Sequence, residues 1–184
     1  MKKTFVAAAF AILLAGCASS ANLPTLSLAP EQAVYRLGIG DQLKVTVYGE
    51  ERLTGEFPVN GQGNVAFPLL GEVSAAGRTL QEFEKEISAG LADGFVNNPS
   101  VTVEVANYRP YYILGEITKP GEYQFADGLT VFSAVARAGG FTYRADKKRI
   151  YIRHKSGGDE VAYRLEGSTP VQPGDTIRVS ERLF

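Results

Sequence analysis

The chain is poor in the residues that carry most metal and redox chemistry. It has one cysteine, one histidine, one methionine and no tryptophan among 184 residues. A lone cysteine excludes any disulfide within one chain, so the fold must rest on its core. One histidine and one cysteine cannot supply a His/Cys metal site. Gly-x-Ser-x-Gly, Walker-type phosphate loops and the dinucleotide fingerprint are also missing. Carboxylates are plentiful, and a glycosidase-type pair would meet only in space, so the sequence leaves that pairing open without a local cue for it. The reading is a protein that is not an enzyme. Net charge is only −1, so a nucleic-acid partner would lack its usual basic footprint. After the first residues there is no long hydrophobic run, so no later segment is expected to cross a membrane as an apolar helix.

The beginning of the chain gives the location. Lys2 and Lys3 precede an apolar run from Phe5 to Leu14, followed by the small residues Ala15 and Gly16. Residues 1–16 therefore read as a secretory signal peptide. Leu14-Ala15-Gly16-Cys17 resembles a bacterial lipoprotein box. That resemblance implies that Cys17 becomes the mature N-terminus and carries lipid, the one covalent group expected; no other cofactor is. Two or more acyl chains anchor stably, because each buried methylene contributes about 0.8 kcal/mol. Ala18, rather than Asp, follows the cysteine, which by the sorting rule of such lipoproteins favours the outer membrane. The alternative is a chance cysteine beside an ordinary cleavage site. Residues 17–33 are small and polar with scattered Pro and Leu, and read as a tether.

From Tyr35 to Pro68 the pattern is β. Gly38-Ile39-Gly40-Asp41 is a turn, and Leu43, Val45 and Val47 alternate with Lys44 and Thr46 as a half-buried strand does. Phe57–Asn60 and Val65–Phe67 flank Gly61-Gln62-Gly63, which predicts a hairpin. Gly71-Glu72-Val73 is a further short strand. Thr79–Leu91 is the clearest helix: Thr79 and Glu82 fit a capping box, and Leu80, Phe83, Ile87 and Leu91 form one apolar stripe. Val101, Val103 and Val105 alternate again as a strand.

Arg109 to Thr142 reads as strand, turn, strand and helix. Tyr111–Leu114 is the first strand, Lys119-Pro120-Gly121 the turn, and Glu122–Phe125 the second strand. Thr130 caps a short helix with apolar positions Val131, Ala134, Val135 and Ala138, and Gly139-Gly140 stops it. A basic stretch follows, with Arg144, Lys147, Lys148, Arg149, Arg153 and Lys155 against Asp146. It holds a strand at Ile150–Arg153, whose partner is Val161–Leu165 across Gly157-Gly158-Asp159. Gly174-Asp175-x-Ile177-Arg178-Val179 echoes Gly40-Asp41-x-Leu43-Lys44-Val45, two turn-to-strand entries of similar geometry. His154 reads as a surface or groove residue. Among the aromatics, Tyr112 and Phe125 are assigned to the core. Tyr108, Tyr111 and Tyr143, with Arg109, are the candidate glycan or interface contacts, since Tyr offers an apolar face and a hydroxyl.

Gly115-Glu116-Ile117-x-x-Pro120-Gly121 and Ala138-Gly139-Gly140-Phe141-Thr142 closely resemble the soluble-ligand-binding β-grasp (SLBB) domain of the outer-membrane polysaccharide export (Wza-like) family. The preceding segment resembles that family's export domain at Tyr35–Asp41, Leu53-Thr54-Gly55, Pro68-Leu69-Leu70-Gly71, Gly77-Arg78-Thr79-Leu80 and Asn98-Pro99-Ser100-Val101. The resemblance implies an α+β fold, with a β-rich export domain holding one packed helix over 34–107. One SLBB-type β-grasp domain with a C-terminal strand follows over 108–184. It further implies a lipoprotein of the outer membrane, facing the periplasm. Such a protein forms a homo-oligomeric ring around a passage for polysaccharide and couples to an inner-membrane polymerisation and export complex. Larger members continue into further β-grasp repeats and a C-terminal amphipathic helix, whereas this sequence stops at Phe184. The expectation is a periplasmic ring docked on a separate outer-membrane β-barrel. Rival readings are a monomeric saccharide-binding lipoprotein and a structural scaffold of an envelope complex. Charge is uneven: residues 17–108 hold 5 Lys+Arg against 11 Asp+Glu, and residues 109–184 hold 12 against 9. An acidic part of one subunit facing a basic part of the next would suit head-to-tail ring closure.

Overall fold

Alternation of apolar and polar residues builds the first sheet. Strand β1 (Gln42–Val47) buries Leu43, Val45 and Val47 and leaves Lys44 and Thr46 in solvent. It sits between β2 (Gly55–Pro58) and β5 (Val101–Asn107), antiparallel to both, with Val45 opposite Val103. Gln42 pairs with Asn107 but Leu43 pairs with Val105, so Ala106 is skipped. This bulge bends the end of β5 just before Tyr108 and Arg109, as bulges do where a chain must be re-aimed. A computed structural model describes residues 24–25, 35–155 and 157–182. The expected signal peptide, Cys17 and most of the expected tether lie outside the described residues.

Two further strands, β3 (Asn64–Phe67) and β4 (Gly71–Ser74), pair with each other as a separate antiparallel hairpin. The sequence-based hairpin between Phe57–Asn60 and Val65–Phe67 is thereby corrected: β2 ladders with β1, and β3 with β4. The Gly61-Gln62-Gly63 turn itself forms. Asn60 Oδ1 accepts from the Gln62 and Asn64 backbone N–H groups, and Asn60 N–H donates to the Asn64 carbonyl. That side-chain turn closes the loop locally and leaves the flanking strands free to find other partners. Helix α1 (Leu80–Ala92) has the full capping box of Thr79 and Glu82 and buries Phe83, Ile87 and Leu91. These side chains meet Leu43, Val45, Val65 and Phe67 in one apolar cluster.

The second unit is a five-stranded mixed sheet in the order β7-β6-β10-β8-β9. Its strands are β6 (Tyr111–Gly115), β7 (Gly121–Tyr123), β8 (Arg149–Arg153), β9 (Val161–Arg164) and β10 (Thr176–Val179). The first and last, β6 and β10, run parallel at the centre, and every other pairing is antiparallel. Helix α2 (Val131–Arg137), capped by Thr130, covers one face. Val131, Ala134, Val135 and Ala138 meet Tyr111, Ile113, Ile150, Ile152, Ile177 and Val179 in a second cluster. Two hairpins, one covering helix and a parallel central pair make a β-grasp arrangement, so the chain is α+β in both halves. Described residues of the expected tether reach this sheet: the Pro24 carbonyl accepts from Arg164 N–H at 3.1 Å, along the outer edge of β9.

The two motifs of the central unit are one hydrogen-bonded structure. Ile117 bridges Phe141, the Thr118 N–H donates to the Gly140 carbonyl, and Lys119 N–H to that of Ala138. Thr142 closes the set, donating its N–H to the Glu116 carbonyl and its hydroxyl to the Glu116 carboxylate. Gly139 and Gly140, at φ +81° and +87°, give the helix its left-handed exit toward that bond network.

Candidate functional site

Asp41 and Asp175 confirm the echo seen in the sequence. Each follows a glycine of positive φ, Gly40 at +94° and Gly174 at +86°, and each leads into a strand. Each carboxylate turns back on its own loop. Asp41 Oδ2 accepts from Gly38 N–H at 2.7 Å, and Asp175 Oδ2 from Gln172 N–H at 2.9 Å. Both side chains are buried, at 0% and 1% exposure.

Arg109 joins these two turns. Its Nη1 donates to Asp41 Oδ2 and to the Tyr35 hydroxyl, both at 3.0 Å, and its Nε donates to the Pro173 carbonyl at 3.0 Å. The Arg109 backbone N–H donates to Asp41 Oδ1 as well. Tyr35 donates its hydroxyl to Asp41 Oδ2 at 2.5 Å. Burial first, and then the Asp41 hydrogen bond and charge, push the Tyr35 pKa well above the ordinary tyrosine value. The guanidinium fills the space in front of both turns. A Cβ at Gly38 would strike it, and one at Gly174 would meet Arg109 Nε at 2.9 Å and Lys155 Cβ at 2.8 Å. Beside this hub, Tyr108 stacks edge-on with Tyr35 at 5.1 Å and with Phe125 at 5.3 Å. The arginine and the aromatic ladder together pin one unit to the other.

A second feature lies on the sheet face that α2 leaves open. A cavity of about 570 Å³ is lined by Tyr112 and Leu114 of β6, Thr176 of β10, and Arg153, His154 and Lys155 at the end of β8. Register explains the grouping, since Tyr112 lies opposite Thr176, and Thr176 opposite Arg153. His154 Nδ1 bonds Asp175 Oδ1 at 2.8 Å. This bond raises the His154 pKa above its ordinary value, against an opposing desolvation. The next cross-strand row holds Arg178, stacked over Tyr151 at 4.1 Å and ion-paired with Glu160.

Of the basic stretch, Arg144 pairs with Glu181 and Arg149 with Asp146. Burial alone would raise the Asp146 pKa. Hydrogen bonds from Lys148 N–H and the Arg149 guanidinium outweigh it and hold the carboxyl below the ordinary range. Arg153 and Lys155 have no carboxylate partner within 4.0 Å among the described residues.

The candidate residues fall in different places. Arg109 is largely buried in the hub, and Tyr108 is half-buried beside it, its hydroxyl donating to Asp127. Tyr143 is 84% exposed. Tyr111 is corrected: it is fully buried under α2, stacked on Tyr123, and presents no surface to a glycan. Its hydroxyl has no hydrogen-bond partner among the described residues, and burial pushes its pKa up. Tyr112, assigned to the core, is 42% exposed in the cavity wall, while Phe125 does pack against the second cluster. Adjacent strand residues face opposite ways, and Tyr-Tyr-Ile-Leu gives the same apolar reading in either parity. The cross-domain role of Asp41 was legible only as a turn signal. Cys17 lies outside the described residues. Among those residues no group of three or more His, Cys, Asp or Glu is placed to hold a metal ion.

Comparison with known proteins matches both units. Residues 29–106 fit the family described as polysaccharide biosynthesis/export protein, and residues 110–165 fit the SLBB domain. The SLBB match ends before β10, which supplies the centre of the sheet. The exopolysaccharide production protein ExoF of Rhizobium meliloti is 37% identical over 155 residues, covering 78% of this chain and 35% of the relative. The EPS I polysaccharide export outer membrane protein EpsA of Ralstonia nicotianae is 30% identical over 201 residues, covering 90% and 52%. The polysialic acid transport protein KpsD of Escherichia coli is 24% identical over 108 residues, covering 58% and 19%. The chain thus spans from about a third to about half the length of the first two of these relatives. The matched families are export families rather than enzyme families. With an export domain and an SLBB domain matched in succession over most of its residues, the chain belongs to the bacterial polysaccharide export protein family.

Proposed function

We propose that this chain is a lipid-anchored subunit of a polysaccharide export conduit at the periplasmic face of the outer membrane. Copies assemble side by side into a ring, and the polymer passes through it from an inner-membrane polymerisation and export complex. The observation that carries this reading is the pair of matched domains on one chain, in that order, clamped together by Arg109 and Asp41. A clamped pair lets a subunit present two defined surfaces to its neighbours, which a closed ring requires.

Charge supports the same reading. The acidic composition of residues 17–108 and the basic composition of residues 109–184 suit a head-to-tail contact. Exposed aromatics on each unit, Tyr48 at 86% and Tyr143 at 84%, are suited to anchor such a contact. Flux through the ring needs contacts that are weak and repeated, because tight binding would stall the polymer. Among the described residues no helix is long and apolar enough to cross a membrane.

The test is complementation. A strain deleted for the gene should secrete no polysaccharide, and the wild-type chain should restore secretion. A deletion strain that secretes normally would overturn the export role, and purified lipidated chain that stays monomeric beside its secretion partners would overturn the ring.

A further inference from the structure

The cavity on the open sheet face has the chemistry of a binding site for an acidic sugar. We infer that Tyr112, Arg153 and Lys155 form a subsite for a carboxylate-bearing saccharide residue, a glycuronate being the simplest case. The inference rests on the export reading above and assigns its polymer a chemical class.

Three observations combine. First, Arg153 and Lys155 converge on one cavity and lack a carboxylate within ion-pairing distance among the described residues. Two neighbouring acids are already engaged, Asp175 with His154 and Glu160 with Arg178, and a third, Glu122, lies across the β6–β7 pair from Tyr112 and pushes its pKa up. Arg153, His154 and Lys155 are the lining side chains that can carry charge; Glu122 beside Tyr112 and Glu160 near Arg153 are not part of the lining. Second, Tyr112 and Leu114 keep 42% and 38% of their surface exposed on the same wall. A tyrosine face beside a row of polar groups suits a sugar ring, which has an apolar face and a hydroxylated edge. Third, the cavity volume of about 570 Å³ lies within the range of small-ligand sites, about 300–1,000 Å³. Gly157, Gly158 and Gly174 on its rim leave backbone within reach of a ligand.

The groups facing the cavity set its charge. His154 contributes a further positive charge when protonated, and its Nδ1 bonds Asp175. Lys155 packs against Gly174, so the cavity wall adjoins the turn that Arg109 grips. Partial exposure keeps each contact weak, as a passing polymer demands.

The experiment titrates the mature chain, at low ionic strength, with trigalacturonate, trimannuronate, the methyl ester of trigalacturonate, and inorganic phosphate, followed by amide chemical shifts. The uronates are expected to shift residues of β6, β8 and β10. The ester, which keeps the rings but loses the charge, binds about tenfold more weakly. Arg153→Gln with Lys155→Gln weakens the acid by a similar factor and leaves the ester unchanged, while Tyr112→Ser weakens both. All three side chains are solvent-exposed, and an unchanged thermal midpoint checks the fold of each variant. Equal binding of acid and ester overturns the acidic preference. Phosphate binding as tightly as a uronate, or no binding of either uronate, overturns the saccharide site. Secretion restored by the wild-type chain in the deletion strain, with no uronate binding, removes this site and leaves the export reading intact. Uronate binding without restored secretion does the reverse.

Discussion

At the scale of single residues, Arg109 has the largest consequence. It neutralises a carboxylate with no exposed surface and holds loops from both units. Replacing Arg109 by Ala leaves Asp41 buried and unpaired, and removal of one partner of a buried pair costs about 3–5 kcal/mol. Urea denaturation should show that loss for Arg109→Ala, and a large fraction of it for Arg109→Lys, which cannot reach Asp41, Tyr35 and Pro173 at once. A loss under about 1 kcal/mol would mean that the hub is ornamental. His154 gives a pH-dependent counterpart. Its folded pKa is raised, with the Asp175 bond the leading cause. The stabilisation is therefore fully present below the unfolded value of 6.5 and is lost as pH rises through the folded value. Denaturation midpoints of wild type should fall across that window relative to those of His154→Gln. Parallel curves would contradict the pairing.

At the scale of elements, Gly115 marks where two strands come too close for a side chain. Its φ is +90°, and a Cβ there would strike the Val179 carbonyl oxygen, which is backbone and cannot rotate away. Gly115→Ala should lower stability by about 2–4 kcal/mol, from the left-handed conformation and the clash together. Thr79→Ala removes the α1 cap and should cost about 1 kcal/mol by the same urea assay. Both helices were legible in the sequence because cap, stripe and stop signals agree over one continuous stretch, as at Thr79, Phe83, Ile87 and Leu91. The alternating strands β1 and β5 were legible for the same local reason. Pairing was less so. The partner of β3 depends on Asn60 closing its own loop, and the parity of Tyr111 and Tyr112 depends on which face α2 covers. β10 reads as a terminal strand but sits at the sheet centre, since its contact with β6 spans more than sixty residues of sequence. The cavity drew its cations from a legible basic stretch. Only the register at Thr176 shows that Arg153 shares a row with Tyr112.

At the scale of the whole molecule, the proposed export role has the two units act through assembly and attachment. Cys17→Ser should move the protein from the membrane fraction to the soluble periplasmic fraction and reduce secreted polysaccharide, because no acyl chain then holds it at the bilayer. Fractionation and immunoblotting read the outcome, and an unchanged membrane fraction would contradict lipid anchoring. Assembly driven by acidic and basic halves should weaken as salt shortens the reach of charge, to about 3 Å at 1 M. The central claim is that copies of this chain close into a ring. Native mass spectrometry of the lipidated protein, alone and with its secretion partners, addresses it directly. The account predicts one closed species with a fixed number of subunits, and a monomer in both preparations at every concentration would contradict it.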